Sequence, residues 1–213
     1  MNPTPSALSF RDLACIRGER VLFAGLTGQV AAGDALRLIG PNGSGKTSLL
    51  RLLAGLAPPA HGDIAWHGKP IRTDAAEHRA RVLFVGHLDA VKPYLTVREN
   101  IAFWAGLYGR ATSIDAAVAA LDLASLAGLP ARFLSAGQRR RANLARLFVT
   151  DVPLWLLDEP TTSLDERSIG AVEAAIARHR AGGGLAVVAT HTPIRLDAAT
   201  ELDFGKLPSL QAA

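Results

Sequence analysis

Residues 39–48 read IGPNGSGKTS, and this stretch decides the fold class. Positions 40–47 satisfy the pattern GxxxxGK[ST], which has a physical meaning when a strand precedes it and a helix follows. The segment 34–39 predicts such a strand, and leucines recur on a helical pattern between Lys46 and Gly55. Glycines let the backbone wrap around a phosphate, while amide groups at the helix start face its negative charge. The stretch therefore predicts a phosphate-binding loop.

The side chains of this loop predict how it binds a nucleotide. Lys46 places a cation at the β- and γ-phosphates, and the hydroxyl of Thr47 is a ligand for Mg²⁺. Lys46 is therefore a predicted catalytic residue, and Thr47 is a predicted metal ligand. The predicted cofactor-binding residues of the loop are Gly40, Pro41, Asn42, Gly43, Ser44, Gly45, Lys46, Thr47 and Ser48.

Two carboxylates follow an apolar run further along the chain. The segment 154–157 reads LWLL and predicts a buried strand, directly followed by Asp158 and Glu159. Because α/β folds bind ligands at the carboxyl edge of their strands, both carboxylates are expected near the phosphate-binding loop. Asp158 is predicted to hold Mg²⁺ through water. Glu159 is predicted to polarise the attacking water, which makes it a second catalytic residue.

Apolar runs and helical periodicity define the remaining elements. We predict strands at 8–15, 21–24, 26–30, 34–39, 64–66, 82–85, 154–157 and 185–189, and helices at 46–55, 96–108, 114–123, 137–149 and 165–180. Strands that alternate with helices indicate a mainly parallel sheet. We predict an α/β fold with a P-loop NTPase (RecA-like) core, an N-terminal antiparallel β subdomain and an inserted helical subdomain at about 92–147. All of it is expected to form one domain over residues 1–213.

The composition narrows the class of protein. Hydrophobic residues make up 49% of the 213 residues, which is enough for a sizeable core. No apolar stretch approaches the roughly 20 residues that cross a bilayer, and residues 1–10 lack a signal-peptide pattern, so we expect the chain in the cytosol. One cysteine, Cys15, permits no internal disulfide. The net charge of +4 suits either an anionic partner or a generally solvated surface.

Residues 134–141 read LSAGQRRR and resemble the LSGGQ signature of ABC ATPases, with Ala136 in place of the first glycine. Ser135 and the backbone of Gly137, at the start of a predicted helix, form a second anion site. One nucleotide does not need two such helix starts, and the surplus suggests that two subunits share each site. Ser135, Gly137 and Gln138 are the predicted binding residues of this segment. The arginines at 139–141 are predicted to form a solvated helix face.

Two further segments extend the resemblance to the ABC family. Residues 163–165 resemble its D-loop, and His191, after a predicted buried strand, resembles its switch histidine. The resemblance covers about residues 8–204 and implies ATP and Mg²⁺ as cofactors, with His191 as a third catalytic residue. It also implies a head-to-tail homodimer, in which the loop of one subunit and the signature of the other enclose each ATP. Separate integral membrane subunits are the other partners that it implies.

Two positions depart from the family pattern. His87 follows a Val-Gly pair at the place where ABC proteins carry the glutamine of the Q-loop. Arg17 stands ahead of Gly18, where the family offers an aromatic ring to adenine, and a guanidinium can also stack on a base. We therefore include His87 and Arg17 among the predicted cofactor-binding residues.

A narrower resemblance rests on the segments 21–23 (VLF), 84–87 (FVGH) and 134–140 (LSAGQRR), together with a compact C-terminal end. These segments resemble the haem exporter ATP-binding subunit of cytochrome c maturation. That family implies a peripheral location on the cytoplasmic face of the bacterial inner membrane. It also implies that ATP use supports the delivery of haem to a periplasmic haem chaperone.

The chain itself shows no haem-binding pattern. It lacks a CxxCH motif, and we predict no direct haem ligand. Three histidines are predicted to be surface or structural residues: His61, His67 and His78.

Other functions stay open at the level of sequence. An ABC ATPase subunit for another substrate has the same motifs, and a soluble nucleic-acid- or ribosome-associated ABC ATPase would suit the basic charge. Only 89 positions separate Lys46 from Ser135, without heptads, whereas chromosome-associated members insert long coiled coils there, so no nucleic-acid partner is expected. Glu159 disfavours a module without turnover, and the absence of an NKxD segment disfavours a GTPase.

Overall fold

The computed structural model describes residues 6–108 and 114–207, and within those ranges it contains nine strands and six helices. The strands are β1 (Ser6–Arg17), β2 (Arg20–Ala31), β3 (Ala35–Ile39), β4 (His61–Trp66), β5 (Lys69–Pro70), β6 (Val82–Val85), β7 (Leu154–Asp158), β8 (Leu185–Ala189) and β9 (Thr200–Asp203). The helices are α1 (Lys46–Leu53), α2 (Ala75–Ala80), α3 (Val97–Leu107), α4 (Ile114–Ala120), α5 (Ala136–Leu144) and α6 (Glu166–Ala181). Short 3₁₀ helices lie at Ala124–Leu126, Ala131–Phe133, Ala145–Phe148 and Phe204–Lys206.

Five parallel strands form the central sheet, in the order β6-β7-β8-β3-β9. Every residue of β7 and β8 is buried, as expected for strands that are covered on both faces. Successive side chains of a strand point to opposite faces of its sheet. On β7, Leu154 and Leu156 share a hydrophobic cluster with α1 and the antiparallel sheet, whereas Trp155 and Leu157 share the other cluster with α3, α4, α5 and α6.

The N-terminal antiparallel sheet has the order β2-β1-β4-β5. Strand β2 corrects the sequence-based prediction, because the segments predicted as two strands, 21–24 and 26–30, belong to this single strand. Leu13 lies opposite Leu26 and Cys15 lies opposite Phe23, so β2 contains one more residue than β1 between these pairs. Such an extra residue is a β-bulge, which bends a strand without ending it. A glycine inside an apolar run therefore does not mark a break here.

Four other elements differ from the prediction, and the first is the unpredicted strand β5, which pairs with β4. Helix α2 is short and polar, and its start is set by the carboxylate of Asp74, which accepts a hydrogen bond from the amide of Glu77 at 2.8 Å. Strand β9 reads TELD, has no apolar alternation, and is held at the sheet edge by parallel pairing with β3. The helix predicted at 137–149 ends as α5 at Leu144 and continues as a 3₁₀ helix, a tightening that is common at helix ends.

Helices α3, α4 and α5 lie in the sequence between β6 and β7. Thr96 caps the N-terminus of α3 and Ser135 caps that of α5, and each of these hydroxyls accepts a hydrogen bond from the amide three residues later. The limits of a helical subdomain, at about 92–147, stay a prediction. Of the helices within residues 6–108 and 114–207, none has both the length and the apolar character needed to span a bilayer.

Candidate functional site

The loop between β3 and α1 has a backbone that requires glycine at two positions. Gly40 has a φ of 131° and Gly45 a φ of 113°, both in the region that L side chains rarely adopt. A Cβ at Gly40 would lie 2.9 Å from the Cβ of Phe204, and one at Gly45 would lie 2.9 Å from the ring of Phe23. The fold therefore packs tightly against this loop at both glycines, where a side chain would have no room.

Two side chains of the loop fit an anionic ligand. Lys46 is buried, and its Nζ donates hydrogen bonds to the carbonyl oxygens of Gly40 at 2.7 Å and Pro41 at 3.0 Å. Within the described part of the chain, the buried Oγ of Ser44 has no hydrogen-bond partner. A buried cation beside an unsatisfied hydroxyl, at the N-terminus of α1, has the chemistry that a phosphate group requires.

Thr47 and Asp158 meet in front of this loop. The hydroxyl of Thr47 donates a hydrogen bond of 2.8 Å to Oδ2 of Asp158, which is the last residue of β7. Burial raises the pKa of the Asp158 carboxyl group, while the hydrogen bond from Thr47 opposes that shift. A hydroxyl and a carboxylate supply the hard oxygen ligands that Mg²⁺ prefers, so the two residues fit the predicted metal site.

Glu159 and His191 form a second polar pair at the same edge of the sheet. Nδ1 of His191 lies 2.8 Å from Oε1 of Glu159, and the amide of His191 donates a hydrogen bond of 3.3 Å to Oε2. Glu159 follows β7 and His191 lies just beyond β8, two strands that pair in parallel. The side chain of Glu159 is 14% exposed, so its carboxylate is largely shielded yet open to a ligand or water.

One cleft of about 500 Å³ gathers most of the predicted site residues. Its wall is made by the β1–β2 hairpin, the phosphate-binding loop, the residue at position 87 and the ends of β7 and β8. The predicted site residues that line it are Arg17, Asn42, Gly43, Gly45, Lys46, Thr47, Ser48, His87, Asp158, Glu159 and His191.

The signature residues lie elsewhere. Ser135, Gly137 and Gln138 line a separate cleft of about 220 Å³, together with the segment 163–165. Oε1 of Gln138 accepts a hydrogen bond from the amide of Ser135, and the Oγ of Ser135 accepts one from the amide of Gln138. A Cβ at Gly137 would lie 3.2 Å from the carbonyl oxygen of Ser163, so α5 begins close against that segment. A single chain therefore does not bring its two predicted anion sites into one cleft.

The prediction of a solvated arginine face is wrong for Arg140. Arg139 is exposed, but Arg140 is buried and donates hydrogen bonds to the carbonyl oxygens of Asp158 at 3.1 Å and Glu159 at 2.7 Å. The sequence does contain a signal for this burial, because Arg140 is spaced i, i+4 and i+7 with the buried residues Leu144 and Leu147. A run of three arginines obscured that periodicity.

The model of the ABC transporter family matches residues 23–162. The cytochrome c biogenesis ATP-binding export protein CcmA of Rhodospirillum rubrum is 57% identical over 199 residues, which cover 93% of this chain and 85% of the relative. The chain belongs to the ABC transporter family, among its cytochrome c biogenesis ATP-binding export proteins. The CcmA protein of Paramagnetospirillum magneticum, 54% identical over 92% of this chain and 93% of its own length, is a second such relative.

Solved structures of ABC proteins share the fold. The ATP-binding subunit of an ABC transporter aligns with a TM-score of 0.84 at 22% identity, over 95% of this chain and 88% of that one. An ABC transporter ATP-binding protein described as putative, from Pyrococcus furiosus, aligns with a TM-score of 0.80 at 24% identity, over 94% and 98%. The predicted fold class and the predicted ABC family are thus confirmed. The roles of individual site residues stay predictions.

Arg17 is the site residue whose role is easiest to isolate, because it is exposed at the mouth of the cleft. If its guanidinium stacks on adenine, Arg17→Ala will weaken ATP binding by about twofold to fivefold, as expected for an exposed cation–π contact. Equilibrium titration with ATP measures the change, and Arg20→Ala, an exposed arginine outside the wall of the cleft, is the matched control. Unchanged affinity in Arg17→Ala would remove the residue from the site.

Proposed function

We propose that this chain binds ATP in the 500 Å³ cleft and hydrolyses it to drive an export step in cytochrome c biogenesis. The observation that carries the proposal is the convergence of Lys46, the Thr47–Asp158 pair and the Glu159–His191 pair at one edge of the sheet. The relatives of more than 50% identity are ATP-binding export proteins of cytochrome c biogenesis, which supports the same assignment.

Each pair has a proposed task in the reaction. Glu159 orients a water molecule and accepts its proton as the water attacks the γ-phosphate, the bond from the γ-phosphorus to the bridging oxygen breaks and ADP leaves. His191 holds the carboxylate in place. Lys46 balances the negative charge of the phosphates from the N-terminus of α1. Mg²⁺, which Thr47 and Asp158 would hold, neutralises part of the charge on the β- and γ-phosphates when bound.

We further propose that two copies of the chain share each nucleotide in a head-to-tail homodimer. The support is the separation of the two clefts, since Ser135 and Gly137 stand at a helix N-terminus outside the cleft that contains Lys46. In the dimer, the signature cleft of one copy faces the phosphate-binding loop of the other and contributes the missing anion contacts. Closure of the dimer assembles the complete site, and hydrolysis followed by release reopens it.

The proposed partners are integral membrane subunits that hold the chain on the cytoplasmic face of the bacterial inner membrane. An exposed aromatic pair offers them a contact: Tyr94 is 78% exposed and Phe133 is 66% exposed. The guanidinium of Arg132 lies 5.4 Å from the centre of the Tyr94 ring and 4.8 Å from that of Phe133, which places the three side chains in one patch. We propose that the ATP-driven step is the delivery of haem. The membrane partners, and not this chain, bind the haem.

Glu159→Gln tests the proposed chemistry. Because an amide cannot accept the proton of the attacking water, turnover of ATP will fall at least about 100-fold, while ATP affinity stays within about twofold. Steady-state hydrolysis and nucleotide titration give the two numbers. Glu77→Gln, which changes an exposed glutamate on α2, is the control and will keep normal turnover. Equal turnover in Glu159→Gln and the unaltered chain would refute the role of Glu159.

A crosslink tests the shared site. A chain with Ser44→Cys and Ser135→Cys will form a covalent dimer with a short thiol crosslinker when ATP is bound and Glu159→Gln prevents hydrolysis. Denaturing electrophoresis with and without ATP detects the product. Each single cysteine variant, which retains the buried Cys15, serves as the control and will give little dimer. Absence of an ATP-dependent crosslink in the double variant contradicts the head-to-tail dimer.

Recovery from membranes tests the partners. The unaltered chain will co-purify with small integral membrane proteins that handle haem, whereas combined Tyr94→Ser and Phe133→Ser will reduce this recovery about tenfold, as expected when aromatic anchors are lost. Leu56→Ser, at a half-exposed apolar residue beyond the C-terminal end of α1, is the control. Mass spectrometry identifies the attached chains. Recovery of an amino-acid or metal permease instead would contradict the haem assignment.

A further inference from the structure

Arg140 connects three parts of the molecule that the proposed function uses separately. Its side chain leaves α5, the helix that Ser135 caps, and is only 7% exposed. Nη2 donates to the carbonyl oxygens of Asp158 at 3.1 Å and Glu159 at 2.7 Å, at the end of β7. Nη1 donates to the carbonyl oxygen of Gly86 at 3.1 Å, directly before His87. We propose that Arg140 is a positioning residue, which holds the backbone of Glu159 in its reactive orientation and links it to the signature helix.

The backbone at Glu159 needs such a restraint. Its φ is 50°, in the left-handed region, where a residue other than glycine is strained. A conformation of this kind persists only where the surrounding structure holds it. The amide of Glu159 donates to the carbonyl oxygen of Ala189 at 2.8 Å, and its carbonyl oxygen accepts the hydrogen bond from Arg140. Both backbone groups are thereby held, and His191 contacts the carboxylate at the other end of the side chain.

Arg140 is itself fixed by an acidic residue on the loop after β6. Oδ1 of Asp89 accepts hydrogen bonds from Nη1 of Arg140 at 3.1 Å and from Nδ2 of Asn143 at 3.2 Å. Asn143 also belongs to α5, and its Oδ1 accepts a hydrogen bond from the amide of Ala90. The loop that contains His87 is therefore hydrogen-bonded to α5 by two side chains one helical turn apart.

Only arginine can make this set of contacts. The guanidinium presents two Nη groups in a rigid plane, so one group reaches the end of β7 while the other reaches the loop after β6. The single Nζ of a lysine keeps the charge and satisfies Asp89, but it cannot bridge both strand ends at hydrogen-bond distance. Arg140→Lys thus separates the loss of positioning from the loss of a buried charge.

The test compares Arg140→Lys with Arg146→Lys in the full chain, alone and with its co-purifying membrane proteins. Because a misplacement of about 1 Å at a reacting group costs up to about 100-fold in rate, we expect Arg140→Lys to lower kcat by about 10- to 100-fold. KM for ATP and ATP affinity stay within about twofold, since the phosphate-binding loop is untouched. Arg146 is equally buried, and its Nη2 donates to the carbonyl oxygen of Phe84 inside β6, so Arg146→Lys will lower the Tm without a specific loss of kcat.

Two results would overturn the inference. One is an unchanged kcat in Arg140→Lys, and the other is an equal fall of kcat in Arg146→Lys, which would mark a general structural effect. If Arg140→Lys does not fold, Asp89→Asn replaces it, because the loss of the charge that holds Arg140 will lower kcat about threefold to tenfold at constant KM. Normal kcat in Asp89→Asn would then refute the inference.

The inference rests on the proposed role of Glu159, and the variants distinguish the two. An inactive Glu159→Gln chain beside a fully active Arg140→Lys chain refutes the positioning role alone. A fully active Glu159→Gln chain refutes the role of Glu159 and, with it, the reason for positioning that residue.

Discussion

The register of three parallel strands is the constraint on which the site depends. In this register Ala189 of β8 lies opposite both Asp158 of β7 and Leu38 of β3. The chain consequently leaves all three strands at nearly the same level of the sheet, and it carries the phosphate-binding loop, Glu159 and His191 to one edge. A slip of one residue would turn the buried side chains to the wrong faces and would separate Glu159 from His191.

Three charged side chains are buried at this edge, and each one has a hydrogen-bond or ion-pair partner. Lys46 is held by two carbonyl oxygens, Asp158 by the hydroxyl of Thr47, and Arg140 by Asp89. A buried ion without a partner costs several kcal/mol, in practice about 3–5 kcal/mol when one member of a pair is removed. The raised pKa of Asp158 reflects this burial. The same low dielectric strengthens the interaction of the site with a charged ligand.

Much of this architecture could be predicted from the sequence, because its signals are local. The glycine pattern at 40–47 and the apolar strand before Asp158 place the two halves of the site, and periodicity locates the buried strands and the long helices. Strand β9 was missed because its residues are polar and only pairing with β3 holds them in place. The sequence predicts two strands where β2 has a bulge, for a related reason: the pairing with β1 that continues across the bulge is not visible in the local sequence.

The periodicity of the sequence indicates that Arg140 is buried, but it does not indicate which groups Arg140 contacts. Asp89 and Asp158 lie on different sides of Arg140 in the chain, and the folded chain brings both within hydrogen-bond distance of its guanidinium. The order of the phosphate-binding loop, the two acidic residues and the histidine along the chain is enough to identify each of them. Their mutual orientation depends on backbone details such as the positive φ of Glu159, which no local pattern encodes.

The separation of the two clefts has a kinetic consequence. If a nucleotide is enclosed only where two copies meet, the rate of hydrolysis per chain rises with protein concentration until association is complete, and dilute copies stay nearly idle. Partners that hold two copies side by side raise their effective concentration to the millimolar range without any new contact at the nucleotide. In the proposed dimer, ATP would therefore be consumed only in assembled complexes, and a surplus of unassembled copies would not drain the cell of ATP.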